Sequence, residues 1–220
     1  MRESFIDQEK TTDNYKMLRE KWRLIYQGLD REELAQRFGL KSDEQAYYIV
    51  YFHQTYRLDK KSGMLTLLEE PDRELTFHTV MAVYHLFYYS RPGARVSGRF
   101  VPFREVKRAA PFDAAFRRTI LEPLAAAFEG HTEEMRRACL SLGGSPVPQG
   151  DVGYQIEAFD CMPLQVVFWD GDEEFRAQAN ILFDADITDF LHEETVVCVA
   201  SDLFRRLTEE AGLEKARRLL

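Results

Sequence analysis

Cysteine is scarce in this 220-residue chain: Cys139, Cys161 and Cys198 stand far apart and form no C-x-x-C pair or Cys/His cluster. That excludes a local zinc or iron–sulfur ligand set and predicts three small hydrophobes in a reducing compartment. Long apolar runs are missing too. None approaches the ~18 residues that span a bilayer. The opening residues MRESFIDQEKTTDNYK contain no apolar h-region, so a secretory leader is not expected and a cytoplasmic setting is. Positive charge is in deficit, with 29 Lys and Arg against 37 Asp and Glu and a net charge of −8. Nucleic-acid binders usually carry a basic excess, so neither nucleic acid nor membrane is expected as a partner. The Walker loop, the glycine-rich dinucleotide fingerprint and the nucleophile elbow are all absent. So are internal repeats and low-complexity linkers.

What the chain does hold is apolar mass. Apolar residues make up 45%, including 16 Phe and 10 Tyr, which is enough for a sizeable core. The length fits one domain over residues 1–220, with a loose N-terminus at 1–11 and a basic tail at 213–220.

The clearest element runs from Gly150 to Ile187. Asp170-Gly171 suits the positive φ values of a two-residue hairpin loop. Folding there sets Trp169 opposite Asp172, Phe168 opposite Glu173 and Val166 opposite Phe175. Leu164, Val166 and Phe168 then share a face with Phe175, Ala177, Ala179, Ile181 and Phe183. Gln165, Val167 and Trp169 share the other with Glu174, Arg176, Gln178, Asn180 and Asp184. Glu173 alone is misplaced, a carboxylate on the apolar face. Upstream, Val152, Tyr154, Ile156 and Ala158 alternate as a third strand, and Pro163 sits at a strand start.

A second meander is predicted from Tyr47 to Leu68. Tyr47–Phe52 is aromatic and β-branched, His53-Gln54 is its turn, and Thr55–Leu58 returns. Asp59–Gly63 is a turn cluster before Met64–Leu68. Around these lie helices: from Thr12 to Gly28, from an Asp30 cap to Phe38, and from Glu74 to Tyr89. The third is apolar nearly all round, hence buried, with His78 and His85 as core or boundary histidines rather than metal ligands, since HExxH-type spacing is absent. Further helices are read over Phe112–Glu129, divided or kinked at Pro123, over Thr132–Leu142, and over Glu193–Leu207. Gly98–Val106, broken by Pro102, is a loop or an edge strand. The fold class is α+β, with largely antiparallel sheet built from two three-stranded meanders and packed with helices. Whether they make one sheet or two facing sheets stays open.

Several segments together resemble a known family: VYHLFYYS (83–90), GRFVPFREV (98–106), Leu142-Gly143-Gly144, Gly150-Asp151, MPLQVVFWDGDEEF (162–175) and NILFDADI (180–187). In order and spacing the chain is similar to the domain of unknown function 3786 from about Tyr15 to Leu207. His53-Gln54 departs from it, where a glycine-containing turn is expected. The resemblance implies no activity of its own. Some relatives carry an iron–sulfur domain alongside, in settings that suggest corrinoid or one-carbon chemistry, but three scattered cysteines cannot supply the four thiolates of a cluster.

The candidate chemistry gathers near the acidic tip. Asp170, Asp172, Glu173, Glu174, Asp184 and Asp186 suit a hard cation or an acid–base pair, or are ordinary turn and surface carboxylates. Trp169 stacks on a planar ligand or packs against a helix. Arg99 and Arg104 hold an anion or pair with surface carboxylates. The ligand-binding set is therefore Arg104, Asp151, Tyr154, Trp169, Asp172, Glu173 and Asp184. No catalytic residue, metal or cofactor is assigned. The leading reading is a domain that binds a ligand, cofactor or protein partner, with any link to corrinoid chemistry resting on the resemblance alone. One alternative is a metal-assisted hydrolase or transferase using the carboxylates at 170–174. Another is a structural protein, dimeric through an exposed sheet edge.

Overall fold

The computed structural model describes residues 3–213, with side chains from Asn14 onward. The chain opens with α1 (Glu3–Gln27) and α2 (Arg31–Arg37). Asp30 caps α2 by accepting the Glu33 N–H at 3.0 Å, as the sequence predicts. The helix α1 starts well before Thr12. The basic tail at 213–220 lies outside the described residues except for Leu213.

The first sheet contains β1 (Lys41–Ser42), β2 (Ala46–Tyr51), β3 (Gln54–Asp59) and β4 (Leu65–Leu67), antiparallel and in sequence order. Period-2 burial explains it: Tyr47, Ile49 and Tyr51 on β2, Tyr56 and Leu58 on β3, and Leu65 and Leu67 on β4 are all buried. Their face meets α3 (Phe77–Tyr89), where the Tyr84 hydroxyl donates to the Gly63 carbonyl at 2.8 Å. Thr76 caps α3, and the helix buries eight of its thirteen residues against α1 and later elements.

The second sheet has the order β5-β9-β8-β7-β6, with β5 at Phe100–Pro102, β6 at Ser145–Pro146, β7 at Val152–Phe159, β8 at Met162–Trp169 and β9 at Gln178–Asp184. GRFVPFREV thus supplies an edge strand that ends at Pro102. The two meanders gain three short strands, β1, β5 and β6, so four and five strands replace three and three. They form two separate sheets.

Two turns differ from expectation. In the first sheet Tyr51 pairs with Gln54, so the turn residues are Phe52 and His53 rather than His53 and Gln54. In the second, Trp169 pairs with Gln178, so residues 170–177 form a long loop instead of a two-residue turn. That register is offset by six residues from the predicted one. Six is even, so Leu164, Val166, Phe168, Ala179, Ile181 and Phe183 still share a face. Glu173 does not oppose Phe168 but sits exposed in the loop, and Phe175 is 66% exposed there rather than on the apolar face.

Between the sheets in sequence, α4 (Asp113–Phe116), a π-turn at Arg117–Leu121 and α5 (Glu122–Phe128) form one helical run. Pro123 has no N–H to bond the Thr119 carbonyl, and its ring would crowd that carbonyl. The wider turn accommodates it, so the run is expanded rather than broken. The helix α6 (Thr132–Ser141) leads into the second sheet. The last helix, α7 (Glu193–Glu210), packs on α3 and α6 through Val196, Val199, Ala200, Leu203, Phe204 and Leu207, all fully buried. One continuous cluster of buried side chains joins both sheets and the helices.

Candidate functional site

The site begins with an unusual turn. Phe52 and His53 both have left-handed backbone, at φ 46° and 62°. A two-residue turn of this hand needs positive φ at both central positions and normally takes Asn-Gly. Two bulky L-residues there cost roughly 1–2 kcal/mol each. The surroundings hold them. The Phe52 side chain is fully buried, and its N–H donates to the Ala158 carbonyl at 2.8 Å. His53 lies against Gly143, where an added Cβ would come within 3.0 Å of its Nδ1. The tip of the β2–β3 hairpin is therefore pinned to the end of β7. There the β7–β8 register slips between Glu157 and Phe159, and the chain turns through Asp160 and Cys161. Phe159 packs on Tyr51, with ring centroids 4.6 Å apart.

This junction encloses a cleft of about 350 Å³ between the sheets. Its apolar wall includes Phe38, Leu40, Ile49, Val50, Leu86 and Phe159, drawn from the α2–β1 connection, β2, α3 and the β7–β8 turn. Arg37, Lys41, Tyr48, Thr55, Asp160 and Cys161 supply its polar atoms. Arg37 is committed: it bonds Glu33 at 2.7 Å and the Ser90 carbonyl at 2.9 Å. Tyr48 donates to Asp43 at 2.6 Å. Lys41 is exposed and makes no ion pair among the described residues. Burial pushes the Cys161 thiol up to about 12, so it is a neutral wall group and not a thiolate nucleophile.

Behind the cleft lies a buried polar network on α7. Asp202, fully buried, accepts from the Tyr51 hydroxyl at 3.1 Å, Thr79 at 2.8 Å, Thr76 at 3.2 Å and Arg205 at 3.3 Å. Arg206, 3% exposed, donates to Gln54 and to the Tyr56 hydroxyl, both at 2.6 Å. Its guanidinium also lies 5.3 and 5.4 Å from the Tyr51 and Phe52 ring centroids. The Arg206 Nε has no partner among the described residues. Burial and then the Asp202 charge raise the Tyr51 phenol well above its ordinary value, so it stays protonated and donates. The network clamps α7 onto both strands of the strained hairpin.

The residues singled out from sequence lie elsewhere. Trp169, Asp172 and Glu173 are exposed at one end of the second sheet. Asp172 accepts the Glu174 and Phe175 N–H groups, shaping the loop. Asp170 accepts the Gly130 N–H at 2.8 Å. Asp151 is at the same end and accepts the Asp170 N–H at 2.8 Å. Asp184 is at the other end of β9, roughly 20 Å away along the strand. It is 1% exposed and accepts from Ser97 N and Oγ, Gly98 N and Asp186 N, fastening the loop before β5. Burial pushes its carboxyl up, but these bonds outweigh burial and hold it below the usual range. Tyr154 faces the core on β7 at 7% exposure. Arg104 is exposed on the turn after β5, 3.9 Å from Glu105. Asp151, Trp169, Asp172 and Glu173 thus come together; Arg104, Tyr154 and Asp184 do not join them. Among the described residues no three His, Cys, Asp or Glu side chains are grouped to hold a metal.

Sequence reasoning missed Lys41, Val50, Phe159 and Cys161. The only local signal was at the turn, where His53-Gln54 stood in place of an expected glycine-containing pair and where the structure puts the turn one residue earlier, at Phe52-His53.

No helix among the described residues is long and apolar enough to cross a membrane. Comparisons with curated proteins and with solved structures find no match. The family described as Domain of unknown function (DUF3786) matches residues 30–206, which include both sheets, the strained turn, the cleft and the Asp202–Arg206 network, and the chain belongs to that family.

Proposed function

We propose that the chain is a small-molecule-binding module whose site is the cleft between the sheets, and that its ligand has an apolar body and one anionic group. The observation that carries this is the junction itself: a concave, largely apolar cleft of about 350 Å³ whose walls are held by a left-handed Phe52-His53 pair. Strain of this kind gathers at ligand sites and switch regions. The volume is near the lower end of the roughly 300–1,000 Å³ usual for small-molecule pockets. Lys41 is the rim cation without an ion pair among the described residues, which favours an anionic end on the ligand.

The test uses 1-anilinonaphthalene-8-sulfonate, an apolar fluorophore with one anionic group. The expected result is saturable binding at one site, weakened at least tenfold by Val50→Trp and several-fold by Lys41→Glu. Val50 is 39% exposed, so the larger side chain fills the cleft without disturbing the core. Unchanged dye binding in a folded Val50→Trp protein would sink the assignment. Hydroxocobalamin in the same titration tests the corrinoid link: displacement of the dye supports it, and no displacement removes it from this cleft.

A further inference from the structure

A second cavity, of about 350 Å³, lies where the π-turn meets α3 and α7. It is separate from the cleft. His78 lines it near the start of α3, whereas Leu86 lines the cleft two turns further on, roughly 12 Å along the helix. Its outer wall is the π-turn that accommodates Pro123, with Arg118 and Thr119; its inner wall is His78 with Ser201 and Arg205 of α7. Widened turns of this kind gather at functional sites.

Three polar side chains converge on this space without partners. Ser201 is 9% exposed, yet its hydroxyl makes no hydrogen bond among the described residues. A hydroxyl inside a helix ordinarily bonds a carbonyl one turn back, as Thr208 on the same helix does with Phe204 at 3.2 Å. Ser201 does not, and it lines the cavity. The half-buried His78 ring and the exposed Arg118 guanidinium line it too, and neither has a hydrogen bond or ion pair among the described residues. Buried polar groups are nearly always bonded, so a set left open around one cavity points to a partner from outside the chain.

The donors name the chemistry of that partner. Among the described residues no carboxylate lines the cavity. The charge of Arg205 is already met by Asp202 at 3.3 Å and Glu209 at 2.7 Å, and Asp202 is fully buried and also accepts from Tyr51, Thr76 and Thr79. Arg118 is therefore the cation left over, and its planar fork matches an oxyanion. The Thr119 hydroxyl is spent on the Ala115 carbonyl at 2.8 Å, which leaves Ser201 and His78 as the neutral donors. We propose that this cavity binds a small metabolite through an oxyanion, with Arg118 bonding the anion at the mouth and Ser201 and His78 donating to it from within.

Phenyl phosphate, benzoate and benzyl alcohol test this by calorimetric titration of the full chain at fixed ionic strength. They share a ring and differ in the group it carries. At least one of the two anions is expected to bind at a single site, at least tenfold tighter than benzyl alcohol, and to move the His78 ring signals in NMR spectra. The tighter of the two tells a phosphate ligand from a carboxylate. Arg118→Gln and Ser201→Ala should each weaken binding at least fivefold. Ser201→Ala removes a hydroxyl that holds nothing in the fold, so it should leave Tm unchanged. Val50→Trp, which fills the cleft, should leave this binding intact, so the two assignments fail separately. The proposal is overturned if neither anion binds, if benzyl alcohol binds as tightly, if either Arg118→Gln or Ser201→Ala leaves the affinity unchanged, or if Val50→Trp abolishes it. The last outcome would put the anion in the cleft beside Lys41.

Discussion

The Phe52 N–H lies 2.8 Å from the Ala158 carbonyl and donates to it, and this bond ties the tip of one sheet to the end of the other. It exists only because Phe52 and His53 take left-handed backbone. The two positions are not equivalent. Phe52 is fully buried, while His53 is exposed. Glycine at 53 removes the backbone strain and gives up little packing. His53→Gly is therefore expected to stabilise the protein by about 1 kcal/mol, or about 2–4 °C in Tm. Phe52→Gly relieves the same strain but empties a core position, at a cost of about 3–5 kcal/mol. Thermal melts of both variants check this. A lower Tm for His53→Gly would mean that the imidazole contact with Gly143 outweighs the strain.

The Asp202–Arg206 network makes an asymmetric prediction. Asp202 satisfies Tyr51, Thr76, Thr79 and Arg205 at once, so Asp202→Asn leaves several buried donors short. The expected loss is about 3 kcal/mol. Arg206→Met removes two short bonds but also a buried charge with an unpartnered Nε, so its loss should be below about 2 kcal/mol. Urea unfolding gives both numbers. Equal losses would mean that Arg206, despite its orphan nitrogen, anchors the network as firmly as the carboxylate.

The loop at 170–177 shows what sequence patterning reads well and where it stops. Alternation assigned Leu164, Val166, Phe168, Ile181 and Phe183 to one face because side-chain direction has a period of two. The count of residues in the turn does not enter that period, so an error of six left the faces of the paired residues intact and misplaced residues 172–177, which lie in the loop instead of on the strand. Strands β1 and β6, each of two residues, carry no periodicity at all and exist because a neighbour pairs with them. The cleft was illegible for a related reason: Lys41, Val50 and Cys161 meet only after two sheets dock, and docking is set by contacts distant in sequence.

Glu173→Gln follows from the corrected register. The carboxylate is exposed in a loop, with no hydrogen bond or ion pair among the described residues. Neutralising it should change stability by less than about 0.5 kcal/mol. Asp170→Ala should cost more, about 1–2 kcal/mol, because the Gly130 N–H loses its acceptor. Chemical denaturation of the two variants side by side is the check, and a larger loss for Glu173→Gln would restore a structural role to that carboxylate.

His85 sets the acid side of the stability profile. Its Nδ1 is 2.6 Å from the Thr195 hydroxyl, the Trp22 ring lies 4.0 Å away between centroids, and its Nε2 has no partner among the described residues. Burial first, and then the nearby His192, lower its pKa to about 4. The unfolded chain holds this imidazole at about 6.5. Between those values the unfolded state binds the proton and the folded state does not, so stability rises with pH across the interval. The contribution is complete above about 6.5 and is lost as pH falls toward about 4, by up to about 3 kcal/mol. His78, also lowered by burial, adds to the same slope, so the single variant is the informative one. Asp184, held below the usual carboxylate range, loses its contribution only at lower pH, as its own pKa is passed. The stability of the native protein relative to His85→Gln, read from denaturation midpoints, should therefore fall as pH goes from 7 to 4.5. Parallel curves would show that the imidazole is protonated in the folded state and that Nε2 has found a partner in solution.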